Sequence, residues 1–134
     1  MCLFSKDKEA RIAHEDIAVY KVMRVSTVDG AVYGVPPFQH EYTYYPGLNV
    51  PRHKDETLKE TRSFDRWYSV GEGYLHAYTD SEAAVMAIKS LQISSLSPVS
   101  VVKMYIPAGT PYYLGALHDI AAAALYWPVE DKNA

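Results

Sequence analysis

The chain has 134 residues, is 49% hydrophobic, 22% charged and 13% aromatic, and carries a net charge of −3 from 13 Lys and Arg against 16 Asp and Glu. That length suits one domain able to bury a core unaided, and the composition excludes disorder, collagen-like repeats and a disulfide framework. The basic residues are scattered, and the densest stretch, 52–66, interleaves them with Asp55, Glu56, Glu60 and Asp65, which argues against a nucleic-acid binder.

In chain order, residues 1–15 are mixed and polar and read as an irregular lead-in. Residues 17–25, IAVYKVMRV, are rich in β-branched side chains and tyrosine and predict a strand covered on both faces. Asp29-Gly30 signals a tight turn, so 31–35 is its hairpin partner, stopped by Pro36-Pro37. A short tyrosine strand follows at 39–45, then a Pro46-Gly47 turn. The stretch 49–66 reads as a long loop with a helical turn around 56–61, a place to look for a site because long loops in small domains are often functional.

Trp67 opens a short strand to Val70, Gly71-Glu72-Gly73 punctuates it, and 74–79 resumes in extended form. Asp80 or Ser81 supplies an N-cap for the principal helix, about 82–91, with Ala83, Met86, Ala87 and Leu91 on its buried face. After a serine-rich loop at 94–98, VSVVKMYI at 99–106 is a strand ended by Pro107-Ala108-Gly109. A short strand at 112–114, an alanine-rich helical turn at 118–124 and an extended piece at 125–129 precede a polar tail at 130–134. The sum is a single α+β domain, mainly antiparallel sheet of six or seven short strands with one principal helix.

No apolar run approaches the ~20 residues that span a bilayer, and residues 1–11 lack the apolar region of a signal peptide. The expectation is a cytoplasmic protein without membrane contact. Cys2 is the single cysteine, so no intramolecular disulfide forms. Exposed by removal of Met1, it would pair a thiol with an α-amine as N-terminal nucleophiles do, but Leu3-Phe4-Ser5-Lys6 is not their glycine-rich continuation.

Chemistry concentrates in two places. With a period of two, Glu72, Tyr74, His76 and Tyr78 share one strand face; a carboxylate, an imidazole and two phenols bind polar ligands or move protons. Lys21 and Lys103 each interrupt an apolar strand; if the strands pair, both amines line one concave surface and hold an anion. The candidate ligand residues are therefore Lys21, Tyr74, His76, Tyr78 and Lys103. His14, His40, His53, His76 and His118 show no short metal-ligand spacing, no G-x-S-x-G or P-loop occurs, and Gly71-Glu72-Gly73 lacks the third glycine of a dinucleotide fingerprint. Twelve tyrosines, including Tyr42, Tyr44, Tyr45, Tyr112 and Tyr113, suit contact surfaces.

Three phrases, EDIAVYKV at 15–22, GEGYLHAYTDSEAA at 71–84 and VVKMYIPAGTPYYLG at 101–115, resemble a group of small uncharacterised proteins of gut bacteria and their phages. That resemblance spans most of the chain and implies no particular activity. The order of Tyr20-Lys21, the segment 74–91 and the segment 101–109 is also similar, more loosely, to the ADP-ribosyltransferase-like fold, which implies binding of a dinucleotide such as NAD. Lys21 stands where that fold usually has arginine or histidine, His76-Ala77-Tyr78-Thr79 replaces its serine-rich motif, and no catalytic glutamate follows Gly109, Glu130 lying in the tail. The leading expectation is a small non-catalytic binding or interaction module with a small-molecule or protein partner, self-association included, and no cofactor. The alternative is a divergent transferase-like or nucleotide-binding protein, with NAD as its cofactor.

Overall fold

The computed structural model describes residues 3–36, 43–51, 59–60, 68–70, 74–90 and 99–128. Among them, in chain order, are β1 (Leu3–Ser5), β2 (Arg11–Ile12), β3 (Ile17–Val28), β4 (Ala31–Val35), β5 (Gly47–Asn49), β6 (Lys59–Glu60), β7 (Tyr68–Val70), β8 (Leu75–Tyr78), α1 (Ser81–Ser90), β9 (Ser100–Ile106), β10 (Pro111–Leu114), β11 (Asp119–Ala122) and β12 (Leu125–Trp127). Several expectations fall outside the described residues: Cys2, the start of the tyrosine strand at 39–42, His40, His53, Glu72 with its flanking glycines, Leu91, the loop 94–98 and the tail 130–134.

The longest strand organises the rest. Asp29 and Gly30 have φ of 52° and 80°, the paired positive values of the turn whose twist matches a hairpin, so β3 folds back onto β4. The first half of β3 pairs with β9 from Ile17↔Ile106 to Met23↔Ser100, and its other edge meets β8 at Tyr20↔Tyr78. The main sheet runs β2-β10-β11-β8-β3-β9-β12-β5, with β4 added on β3, and a second sheet runs β1-β7-β6. Among the described residues every pairing is antiparallel.

The strand period of two sorts the side chains. On the inner face Val19, Met23, Leu75, Ala77, Met104, Ile106, Ile120, Ala122, Leu125 and Trp127 form one buried cluster with Ala13 and Tyr44. On the outer face Tyr113 and Ala121 join Val70 of β7, with Ala10 and Tyr74 against them, so the second sheet covers one end of the main one. Helix α1 packs on β3, β8 and β9. Its first turn is capped by Asp80, whose Oδ1 accepts the Ala83 N–H at 2.7 Å, and Glu82 adds a favourable charge there.

Four expectations are corrected. The strands outnumber six or seven, because pieces of two or three residues carry no readable period. The lead-in 1–15 is not wholly irregular: it contains β1 and β2, tied down by Asp7, whose carboxylate accepts from Arg11 Nε and Nη2 at 2.9 and 3.0 Å and from the Leu114 N–H at 3.2 Å. Within 56–61, Lys59–Glu60 is extended and pairs with β7. The alanine run is no helical turn: Ala121 and Ala122 end β11, buried on opposite faces between β8 and β10, and ladder pairing there outweighs alanine's helix propensity.

The helix starts one residue earlier than expected, at Ser81, and its buried face is rotated. Ala84 is buried, Ala83, Ala87 and Ile88 are half-buried, and Met86 is 59% exposed. Residues 83–88 are apolar all round the helix, so the sequence names no unique stripe.

Candidate binding surface

Strand β8 shows the expected alternation: Leu75 and Ala77 are buried, while His76 and Tyr78 are half-buried on the outer face. Tyr74 precedes the strand and is committed elsewhere. Its ring meets Tyr113 edge-on, centroids 5.2 Å apart and planes at 87°. Burial first, and the contact with Tyr74 second, push the Tyr113 hydroxyl up to about 12. Tyr74 therefore belongs to the second cluster rather than to a surface shared with Tyr78.

The two lysines do not line one surface. Lys21 opposes Val102, and Lys103 opposes Tyr20, one step away in the register. They therefore stand on opposite faces of the sheet. Lys21 lies on the inner face, half-buried; its Nζ donates to the His76 carbonyl and sits 4.9 Å from the Tyr44 ring centroid. Both partners meet the demand of a charge on a largely apolar face. Lys103 is exposed on the outer face, with Nζ 5.6 Å over the Tyr105 ring.

Cross-strand register then assembles a surface from distant segments. One row crosses the outer face through Asp119, Tyr78, Tyr20 and Lys103. Burial, and then the charge of Asp119, raise the Tyr78 hydroxyl above its ordinary value. A neighbouring row, two residues along each strand, runs Leu48, Tyr126, Tyr105 and Ala18. Leu48 is 63% and Tyr126 40% exposed. Asn49 fixes the bend that presents Leu48: its Nδ2 donates to the Tyr45 carbonyl at 2.9 Å, and its Oδ1 accepts the Tyr45 N–H at 3.1 Å.

Two grooves adjoin these rows. The first, about 510 Å³, is lined by Asp16, Leu48, Tyr105, Pro107, Tyr126 and Pro128. The second, about 670 Å³, follows the start of β9 and includes Lys103, Val25, Val32, Pro46 and Trp127; Tyr105 and Pro128 belong to both. Lys21 and His76 line neither. Of the five candidate residues, Tyr78 and Lys103 share the first row, His76 lies on the same face one step along β8, and Lys21 and Tyr74 point into the two cores.

Sequence reasoning missed Asp16, Leu48 and Tyr126. The alternation of β9 does put Tyr105 beside Lys103, which was the available signal. Among the described residues no three His, Cys, Asp or Glu side chains gather as a metal-ligand set, and no described helix is long and apolar enough to cross a membrane. No protein-family model, curated protein or solved structure matches the chain.

Proposed function

We propose that this protein is a small non-catalytic binding module whose contact surface is the outer face around Tyr105 and Tyr126. The observation that carries this reading is the pair of cross-strand rows, which gathers four tyrosines, Leu48 and Lys103 from β3, β5, β8, β9 and β12 beside two adjoining grooves. Tyrosine offers a large apolar body with a polar tip at low entropic cost, which is why it is enriched at interfaces. A groove walled by Leu48, Tyr105, Tyr126 and two prolines excludes water from an apolar guest while leaving polar groups at its rim.

Selection of a displayed random-peptide library on the protein tests this. Peptides enriched on the wild type and lost from a folded Tyr105→Ala/Tyr126→Ala variant support the module. Enrichment that this variant leaves untouched refutes the placement of the surface. A thermal-shift response to NAD or ADP-ribose, abolished by Lys21→Met, would replace the module with the nucleotide-binding alternative.

A further inference from the structure

We propose that the surface takes an extended peptide presenting a basic side chain and, four residues along, an acidic one, with an apolar side chain midway. This rests on the binding-module reading and names its ligand. The argument is one of register. Along the outer face, Asp16 precedes Ala18 and Tyr20 on β3 at steps of two, and Ala18 opposes Tyr105 while Tyr20 opposes Lys103. Three levels result: an acid at Asp16, the apolar step of Tyr105, Tyr126 and Leu48, and a base at Lys103.

At about 3.3 Å per residue, the first and third levels are roughly 13 Å apart. An extended ligand repeats that rise, and its residues i, i+2 and i+4 point to one side. The three levels therefore fit a basic, an apolar and an acidic side chain in turn. The charges at the two ends are available. Asp16 Oδ1 accepts the Ala108 N–H at 2.9 Å, and the ion pairs among the described residues, Arg11 with Asp7 and His118 near Asp80, include neither Asp16 nor Lys103.

Each groove holds one of these charges, Asp16 in the first and Lys103 in the second, and Tyr105 and Pro128 join them.

Fluorescence anisotropy with labelled, capped peptides tests the spacing. The probes are Lys-Thr-Val-Thr-Glu and its reverse, the like-charge controls Lys-Thr-Val-Thr-Lys and Glu-Thr-Val-Thr-Glu, and the shortened Lys-Thr-Val-Glu. The tighter opposite-charge peptide is expected to bind about five-fold better than any control, as two exposed pairs permit. Asp16→Asn, which keeps the acceptor for Ala108, removes most of that preference. Lys103→Glu inverts it toward Lys-Thr-Val-Thr-Lys, a gain that no folding defect produces. Equal binding of all peptides, still lost in Tyr126→Ala, overturns the charge spacing and leaves the module standing. Failure of every peptide to bind at millimolar concentration, together with an empty library selection, overturns both.

Discussion

Gly34 tests the account of the core that supports the surface. It lies in β4, exchanging backbone hydrogen bonds with Tyr44 at 2.8 and 2.7 Å. A Cβ added there would sit 2.8 Å from Met23 Cε, 2.9 Å from Met23 Sδ and 3.4 Å from Trp127 Cη2. Methionine is flexible, but Met23 is 0% exposed and packed in the main cluster, so its methyl has no open space to enter. Overpacking of this kind costs about 1–3 kcal/mol. Against it stands the gain of about 0.4–1 kcal/mol that alanine brings by restricting the unfolded chain. Gly34 is not among the residues with positive φ, so backbone strain adds nothing. Gly34→Ala is therefore expected to lose about 1–2 kcal/mol, or roughly 4–7 °C in Tm for a chain of this length. Urea denaturation measures it, with Met23→Leu as the partner substitution. Leucine withdraws the Sδ–Cε reach, so the double variant should be more stable than the sum of the singles by at least about 0.5 kcal/mol. Strict additivity, or a Gly34→Ala protein as stable as its parent, refutes the clash.

Three further outcomes follow from the site and its supports. The Tyr113 hydroxyl, held up to about 12, keeps its proton in the folded state after the unfolded chain has lost it. The stability it contributes is complete below pH 10 and is lost as pH rises toward 12, by about 2 kcal/mol; urea titrations across that window should show a shallower decline for Tyr113→Phe. Asp7 is pushed up by burial but lowered further by Arg11 and the Leu114 N–H, for a net depression. Its contribution is present above about pH 4 and is lost as pH falls below that value; with Arg11 half-exposed, Asp7→Asn should cost on the order of 0.5–1 kcal/mol at pH 7 and little at pH 2.5. Asp80→Ala removes the cap on Ala83 and should cost about 1 kcal/mol with a drop in helical circular dichroism, while Asp80→Asn retains most of it.

The legible parts of the fold were those where local chemistry and tertiary environment agree. The Asp29-Gly30 turn, the strand over 31–35, the Asp80 cap and the Pro107-Ala108-Gly109 turn each depend on a few adjacent residues, and all are present. The strand beginning at Ile17 was legible because β-branched residues recur on both faces; its last three residues, Ser26, Thr27 and Val28, were not, because they are exposed and become strand only by pairing with β4. β11 was misread for the opposite reason. Its alanines carry a strong local preference for helix, overruled by partners 45 and 47 residues back in β8 and 8 and 10 residues back in β10.

The candidate site divides along the same line. Parity within a strand is written in the sequence, so His76 with Tyr78, and Lys103 with Tyr105, were correctly set on common faces. Parity between strands depends on register, which no local pattern fixes. Lys21 and Lys103 look alike as single charges in apolar strands, yet β3 and β9 pair with Val102 opposite Lys21. A shift of one residue would have put both amines on one face. With the register as it stands, Lys21 is held inside by the His76 carbonyl and the Tyr44 ring, and Lys103 is left outside beside tyrosines from other strands. The same register brings Asp16 into line with Tyr105 and Lys103 at steps of two. The acid and the base that frame the surface therefore follow from one strand pairing, although 87 residues (103 − 16) separate them in the chain.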